Sequence, residues 1–584
     1  MHRLLLSLTL LAALPLSLAA GTAPDAEAAP ELILHGGKLV TVDDRFSIRQ
    51  ALAVRDGRIL RVGADAEVLA LKGPRTRVVD LRGKTVIPGL IDSHTHPNAA
   101  SMTEFDHPIP VMETVGDVLS YLRARAGALP DGEWIFLRQV FITRLKEQRY
   151  PTREELDRAA PRNPVAFMTG PDASLNSLAL RRLGIDRDFQ PTDGGPGQVE
   201  RDPRTGEPTG ILRSLNRYVK GDTPGHAPTE ADRRRRLLEL LRDYNANGIT
   251  TIGDRDAETD ALARYRHLRD AGELPVRVSA SQHVETLGSV EEIQLQIREI
   301  AASPLRKPDP LLRIIGIKTY LDGGMLTGSA YMRKPWGTSK IYAITDPEYR
   351  GLLFIPREKL LPIVRTTIEN GMQFTAHSVG DGAVHTLLDV YAEIDRALPV
   401  RETRPSLTHA NFMSAEAVQL MPKLGVVADI QPAWLYLDTR TLSAQFGNER
   451  LRYFQPLRSL FRSGAVVGGG SDHMQKIGSL RAVNPYHPFL GMWIAVTRRA
   501  RDYPRPLHPQ EALTREQALR FYTRNNAYLL FREKEVGSLE PGKLADLAVL
   551  DRDLLTCPVD EIKEVRVLAT YLGGKQVYAA ARER

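Results

Sequence analysis

Cysteine is almost absent: Cys557 is the only one in 584 residues. A single thiol excludes an intramolecular disulfide and a thiolate cluster for zinc. Any metal in this chain would have to be held by nitrogen and oxygen. Long apolar runs are missing too, apart from Leu4–Leu18. That run follows the basic pair His2-Arg3 and precedes Ala-x-Ala-like sites at Ser17-Leu18-Ala19 and Ala26-Glu27-Ala28. It is short for a membrane span and is laid out like a secretory signal peptide over residues 1–28. No cysteine lies near those sites, so no lipid anchor and no stable membrane anchor are expected. The mature chain is expected in a periplasm or secreted. Strong charge of one sign is also lacking: 78 Lys and Arg stand against 71 Asp and Glu, a net +7 that is mild over this length. The one dense basic run, Arg233–Arg236, opens an amphipathic helix and reads as its solvated face. No nucleic-acid partner is expected.

What is present is ordinary globular material, 42% apolar and 26% charged. The chain is too long for one simple domain. Both ends are rich in short alternating strands joined by Gly and Asp-Gly turns, as in ALAVRDGRILRVG near the start and LADLAVLD near the end. They predict a composite β-sandwich domain from residues 29–85 and 533–584. Between them, apolar strands alternate with helical periodicity. The strand candidates are Val86–Asp92, Ile249–Gly253, Val276–Ala280, Ile314–Tyr320, Gln373–His377, Ser406–His409, Val426–Ile430 and Ala465–Gly469. Helices are expected over Glu230–Asn245, Asp260–Ala271, Val290–Ala302, Arg357–Asn370, Ala383–Leu398, Ala415–Leu424, Arg450–Phe461 and Arg515–Phe531. Eight strand–helix units predict an α/β fold, a (β/α)8 TIM-type barrel over residues 86–532. The stretch 98–247 is far too long for one connecting loop and is expected to be an α+β insertion over the active site.

Chemistry collects at the predicted strand ends, where such barrels build their sites. His94 and His96 are one residue apart, so on a strand both imidazoles face one point. Lys318 lies inside an apolar strand, where an ammonium is costly. His377, His409 and Asp472 end three further strands. A hydrogen-bonded core role is as ordinary as ligation for any one histidine. Recurrence at five of eight strand ends argues for a site.

These residues sit in PGLIDSHTHP (Pro88–Pro97), IKTYLDGG (Ile317–Gly324), HSVGDGA (His377–Ala383), THAN (Thr408–Asn411) and SDH (Ser471–His473), followed by GSLEPGKLADLAVLD (Gly537–Asp551). Together they resemble the amidohydrolase superfamily of metal-dependent hydrolases, and within it the YtcJ-like branch that includes N-substituted formamide deformylases. The resemblance implies that His94 and His96 bind the more buried metal. It also implies that Lys318 is carboxylated and bridges two metals, that His377 and His409 bind the second, and that Asp472 touches the first metal and the attacking water. Two Zn²⁺ per chain suit that set. The implied reaction is hydrolysis of a non-peptide C–N bond in a small N-acyl, N-formyl or cyclic amide by metal-activated hydroxide, with Asp472 as general base and then acid. An ester or lactone hydrolase on the same site, or an idle binding or regulatory protein on the same scaffold, are the alternatives. His283, Tyr320, Asp322, Trp434 and His473 lie near the strand ends; a substrate contact and a structural role are open for each. The branch often carries a histidine ahead of an Asn-Ser in the insertion, whereas Gly170–Ser177 here has none. After Asp322 the usual Gly-Ser-Leu is Gly-Gly-Met. A small-molecule substrate is the expected partner, and a homodimer is the default for any oligomer.

Overall fold

The computed structural model describes residues 29–138, 140–221 and 227–581. The proposed signal peptide lies outside them. Eight parallel strands form the central sheet: β1 (Leu90–Thr95), β2 (Ile249–Ala257), β3 (Arg277–His283), β4 (Leu312–Tyr320), β5 (Gln373–Ser378), β6 (Ser406–His409), β7 (Val427–Ile430) and β8 (Val467–Gly469). Each pairs with the next in sequence order. The seam from β8 back to β1 is nearly closed. There Asp472 N–H donates to the His94 carbonyl, and His96 N–H to the His473 carbonyl, each at 2.9 Å. This is the expected TIM-type barrel.

Several helices start on polar caps: Thr229 with Asp232, Ser289 with Glu292 and Thr514 with Gln517 are each a reciprocal capping box. Three expectations need correction. Val86–Asp92 is not one strand: Thr85–Pro88 belongs to a different sheet, and β1 begins only after Gly89. A side chain at Gly89 would meet Thr250 Oγ1 at 2.2 Å, so the crossing needs glycine. The expected helix Arg450–Phe461 is replaced by Pro432–Arg450 and Leu457–Ser463, with Pro456 capping the second. The first of these escaped periodicity because Trp434, Leu435, Asp438 and Thr441 are all buried on it, so no apolar stripe shows. Arg515–Phe531 is two helices, broken by the non-helical backbone of Thr523.

The insertion carries a five-stranded sheet in the order Gln198–Arg201, Pro208–Arg213, Asp172–Leu175, Val165–Thr169, Ile135–Arg138. It has its own core around Trp134, Met168, Leu175 and Leu212. It is clamped to the barrel by Arg144, whose Nε and a terminal nitrogen donate to the two Asp438 oxygens at 3.2 and 3.0 Å. Strands from both chain ends share a six-stranded sheet, in which Thr85–Pro88 pairs antiparallel with Leu547–Leu550. A four-stranded sheet of residues 32–80 packs against it through Leu34, Leu52, Val86, Leu547 and Tyr571.

Candidate active site

The C-terminal ends of the barrel strands open into a cavity of ≈ 730 Å³. His96, Lys318, His377, His409 and Asp472 all line it. Deeper still, His94 is fully buried, and its Nε2 lies 3.2 Å from His96 Nε2. Asp472 Oδ1 is 3.2 Å from His96 Nε2 and 3.5 Å from His94 Nε2. Those three form the one compact group of potential metal donors among the described residues. The His377 and His409 rings are 4.5 Å apart, and His409 is 4.9 Å from His94. All six expected ligands thus gather at one end of the barrel, with His94, His96 and Asp472 as the compact group and Lys318, His377 and His409 along the same cavity.

Local backbone makes this convergence possible. His409 and Asp472 both have positive φ, at 70° and 54°, just where their strands end and the chain must turn outward. Gly470 lets β8 approach β1: a Cβ there would lie 2.5 Å from His94 N and 2.6 Å from Asp92 Oδ1. Asp92 closes the same corner, accepting from Ser471 Oγ at 2.6 Å and Ser471 N–H at 3.0 Å.

The electrostatics suit a cation. Burial holds the His94, His377 and His409 imidazoles below their ordinary pKa, His377 at about 3, so they are neutral and their lone pairs free. Burial alone would raise the Asp472 carboxyl. The hydrogen bond from His96, whose own imidazole Asp472 holds above its ordinary pKa against burial, offsets it and keeps Asp472 ionised. Lys318 is buried, and burial lowers its ammonium despite attraction to Asp256 and Asp472. Its Nζ rests 4.1 Å above the Tyr320 ring and has no ion-pair partner among the described residues. Imidazoles held neutral at His94, His377 and His409, with His96 paired to the Asp472 carboxylate, make a nitrogen and oxygen donor set that fits a divalent ion.

The remaining predicted contacts divide. His283, Tyr320, Asp322 and Trp434 line the cavity. Asp322 is occupied as a clamp: it accepts from the backbone N–H groups of Val379, Gly380 and Tyr331, each at 2.9 Å. Burial pushes its carboxyl up to about 7 against those bonds. His473 does not reach the cavity. It is fully buried, its Nδ1 accepts from Tyr244 OH at 2.7 Å, and its Nε2 donates to the Lys476 carbonyl at 2.7 Å. Its role is to hold the turn after β8.

Sequence reasoning missed the residues behind the ligands. Asp256 accepts from His283 Nδ1 at 2.8 Å and from Tyr320 OH at 2.7 Å, tying two cavity side chains together. Asp429 Oδ2 faces His94 Nδ1 at 3.2 Å, and Gln431 Oε1 faces His409 Nδ1 at 2.8 Å. The alternation of acids in Asp254-Arg255-Asp256 at the end of β2 was a visible signal; Asp429 in an otherwise apolar strand, with Gln431 just after it, was a weaker one.

The cavity lining is mixed: Phe141, Met325, Leu326, Phe354, Trp434 and Met474 are apolar, and Asp254, Asp256, His283 and Tyr320 are polar. A cavity of this size and mixed lining suits a small molecule.

The chain is 31% identical over 559 residues to N-substituted formamide deformylase of Arthrobacter pascens, covering 93% of this chain and 97% of that protein. It is 24% identical to the putative amidohydrolase YtcJ of Bacillus subtilis, covering 94% and 99%. A crystal structure of an uncharacterized metal-dependent hydrolase from Pyrococcus horikoshii superposes with a TM-score of 0.65 at 22% identity, over 91% of this chain and 99% of that one, which shows the shared fold. Residues 77–578 match the model described as the amidohydrolase family, and with nearly the whole barrel and its strand-end histidines inside that match, the chain belongs to the amidohydrolase family.

Proposed function

We propose that this protein is an exported metal-dependent hydrolase that cleaves a non-peptide C–N bond in a small acylated amine or cyclic amide. The observation that carries the reading is the position of Asp472, an ionised carboxylate at the floor of the cavity within 3.5 Å of both His94 and His96. The 31% identity to a protein named for deformylation of N-substituted formamides supports the bond class. Export rests on residues 1–28 of the sequence alone.

His94, His96 and Asp472 would hold one ion, and His377 and His409 a second, with Lys318, carboxylated, between them. Zn²⁺ suits this nitrogen and oxygen set. When bound, such ions supply Lewis acidity toward water and toward a carbonyl oxygen. The chain's own residues do the rest. Asp472, acceptor-only while ionised, takes the proton of the attacking water and returns it to the leaving nitrogen. The apolar side chains of Phe141 and Trp434 receive the organic substituent and keep bulk water from the reacting carbon. His283 and Tyr320, fixed by Asp256, orient the polar end of the substrate.

The test is elemental analysis of the purified mature protein followed by turnover assays on N-formyl and N-acyl amines, cyclic amides, esters and lactones. About two zinc-like ions per chain with preferred turnover of amides is the expected result. Preference for esters or lactones would overturn the bond assignment. Metal-free protein without turnover, even after reconstitution, would overturn the enzyme itself.

A further inference from the structure

Strand β7 contributes none of the proposed ligands, yet Asp429 on it and Gln431, one residue past its end, touch two of them. The backbone is still extended at Gln431, and the two residues are two apart, so both point to the barrel interior. Both are fully buried. Asp429 Oδ1 accepts from Ser93 Oγ at 2.6 Å, and Oδ2 lies 3.2 Å from His94 Nδ1 and 3.4 Å from Arg255 Nε. A carboxylate beside a buried guanidinium is an acceptor only, so the His94 nitrogen facing it must carry the proton. That leaves the lone pair on Nε2, the atom beside His96 and Asp472.

Gln431 repeats the logic for the other histidine. Its Nε2 donates to the Asp429 carbonyl at 2.9 Å and lies 3.3 Å from Asp429 Oδ1; its 3.4 Å approach to His94 Nδ1 is the longest of the three and brings two N–H groups side by side without a hydrogen bond. The opposite amide orientation would set an oxygen against both acceptors. Oε1 therefore faces His409 Nδ1 at 2.8 Å, and that nitrogen too must donate. One hydrogen-bonded chain thus runs His94–Asp429–Gln431–His409, linking residues assigned to different ions.

We propose that Asp429 and Gln431 are positioning residues that fix His94 and His409 as Nδ1–H tautomers, each setting the affinity of its own metal position. The proposal rests on the two-ion reading above. Partners behind metal-binding imidazoles orient the ring and raise its basicity, and their loss costs about 10–100-fold in metal affinity.

The experiment uses the full mature chain, stripped and reloaded with Zn²⁺ or Co²⁺, with ion content and affinity read by chelator competition. Asp429→Asn keeps the shape and an acceptor but loses the charge. Gln431→Met removes the acceptor at nearly constant volume. Thermal unfolding of each metal-free form, read alongside, reports fold integrity. Each single variant should lose about 10–100-fold in affinity for one ion while keeping the other, and the double variant should weaken both. Affinities within twofold of the parent overturn the proposal, whether or not the metal-free unfolding temperature falls. Equal weakening of both ions in each single variant also overturns it. A parent protein that takes up no ion would overturn the metal reading itself, an outcome distinct from loaded parent and unchanged variants.

Discussion

Asp472 and His94 meet twice. The Asp472 N–H donates to the His94 carbonyl at 2.9 Å, and Asp472 Oδ1 lies 3.5 Å from His94 Nε2. The contact that joins the seam between β8 and β1 thus also assembles the centre of the site. Replacing the side chain while keeping the backbone separates the two roles. Asp472→Asn preserves the amide hydrogen bond and removes the base. It should lower kcat by about 10²–10⁴-fold, with thermal stability unchanged and metal still bound. Steady-state kinetics with parallel ion analysis decides; retained turnover would remove Asp472 from the mechanism.

Lys318 is the second test. A buried ammonium without an acid partner is an expensive way to fill a strand, and carboxylation would replace its positive charge with a negative one facing the histidines. Lys318→Ala should lose at least one of two ions per chain and most activity, without loss of the folded state. Ion content unchanged in the variant would give Lys318 a different role. Mass measurement of the intact loaded protein offers an independent view of the carbamate.

Asp322 binds three backbone N–H groups from two loops at the cavity wall. An amide in its place offers one oxygen and turns an N–H against an N–H. Asp322→Asn should therefore cost about 1–3 kcal/mol in unfolding free energy. It should also raise KM, because the loop after β4 carries Met325 and Leu326 into the cavity. Denaturant midpoints and KM would move together; a change in neither would show the clamp to be redundant.

His473 predicts a pH dependence of stability. Burial lowers its imidazole from 6.5 to about 4 in the folded chain. Between those values the unfolded chain binds the extra proton, so folding is favoured at higher pH and stability falls as pH drops from 6.5 toward 4. The slope from this residue is at most about 1.4 kcal/mol per pH unit. His473→Gln, which can still donate and accept, should flatten that part of the curve. Urea midpoints at pH 7 and pH 5 would show it, and an identical slope in both proteins would assign the acid sensitivity elsewhere.

The barrel was legible because its signals are local. Each strand is a short apolar run, and several helices carry a cap and a stripe, as at Ser289 with Glu292. The residues expected as ligands stood out because each sits in or just after such a run. What escaped was set by surroundings. Pro432–Arg450 is buried on several sides, so its pattern carries no period. Asp172–Leu175 is a strand only because Val165–Thr169 and Pro208–Arg213 flank it. His473 resembles a site residue in sequence but points away, since positive φ at Asp472 turns the chain between them. Asp429 and Gln431 act on histidines distant in the chain, a relation that no spacing rule carries.

The pairing of Thr85–Pro88 with Leu547–Leu550 has a consequence for biosynthesis. The segment that runs directly into β1 and its two histidines lacks one strand neighbour until the ribosome has nearly finished the chain. The first part of the site to be translated is therefore among the last to be locked, and the contact is about as non-local as this chain allows. A nascent or C-terminally truncated chain would carry every proposed ligand and still lack the brace beside them.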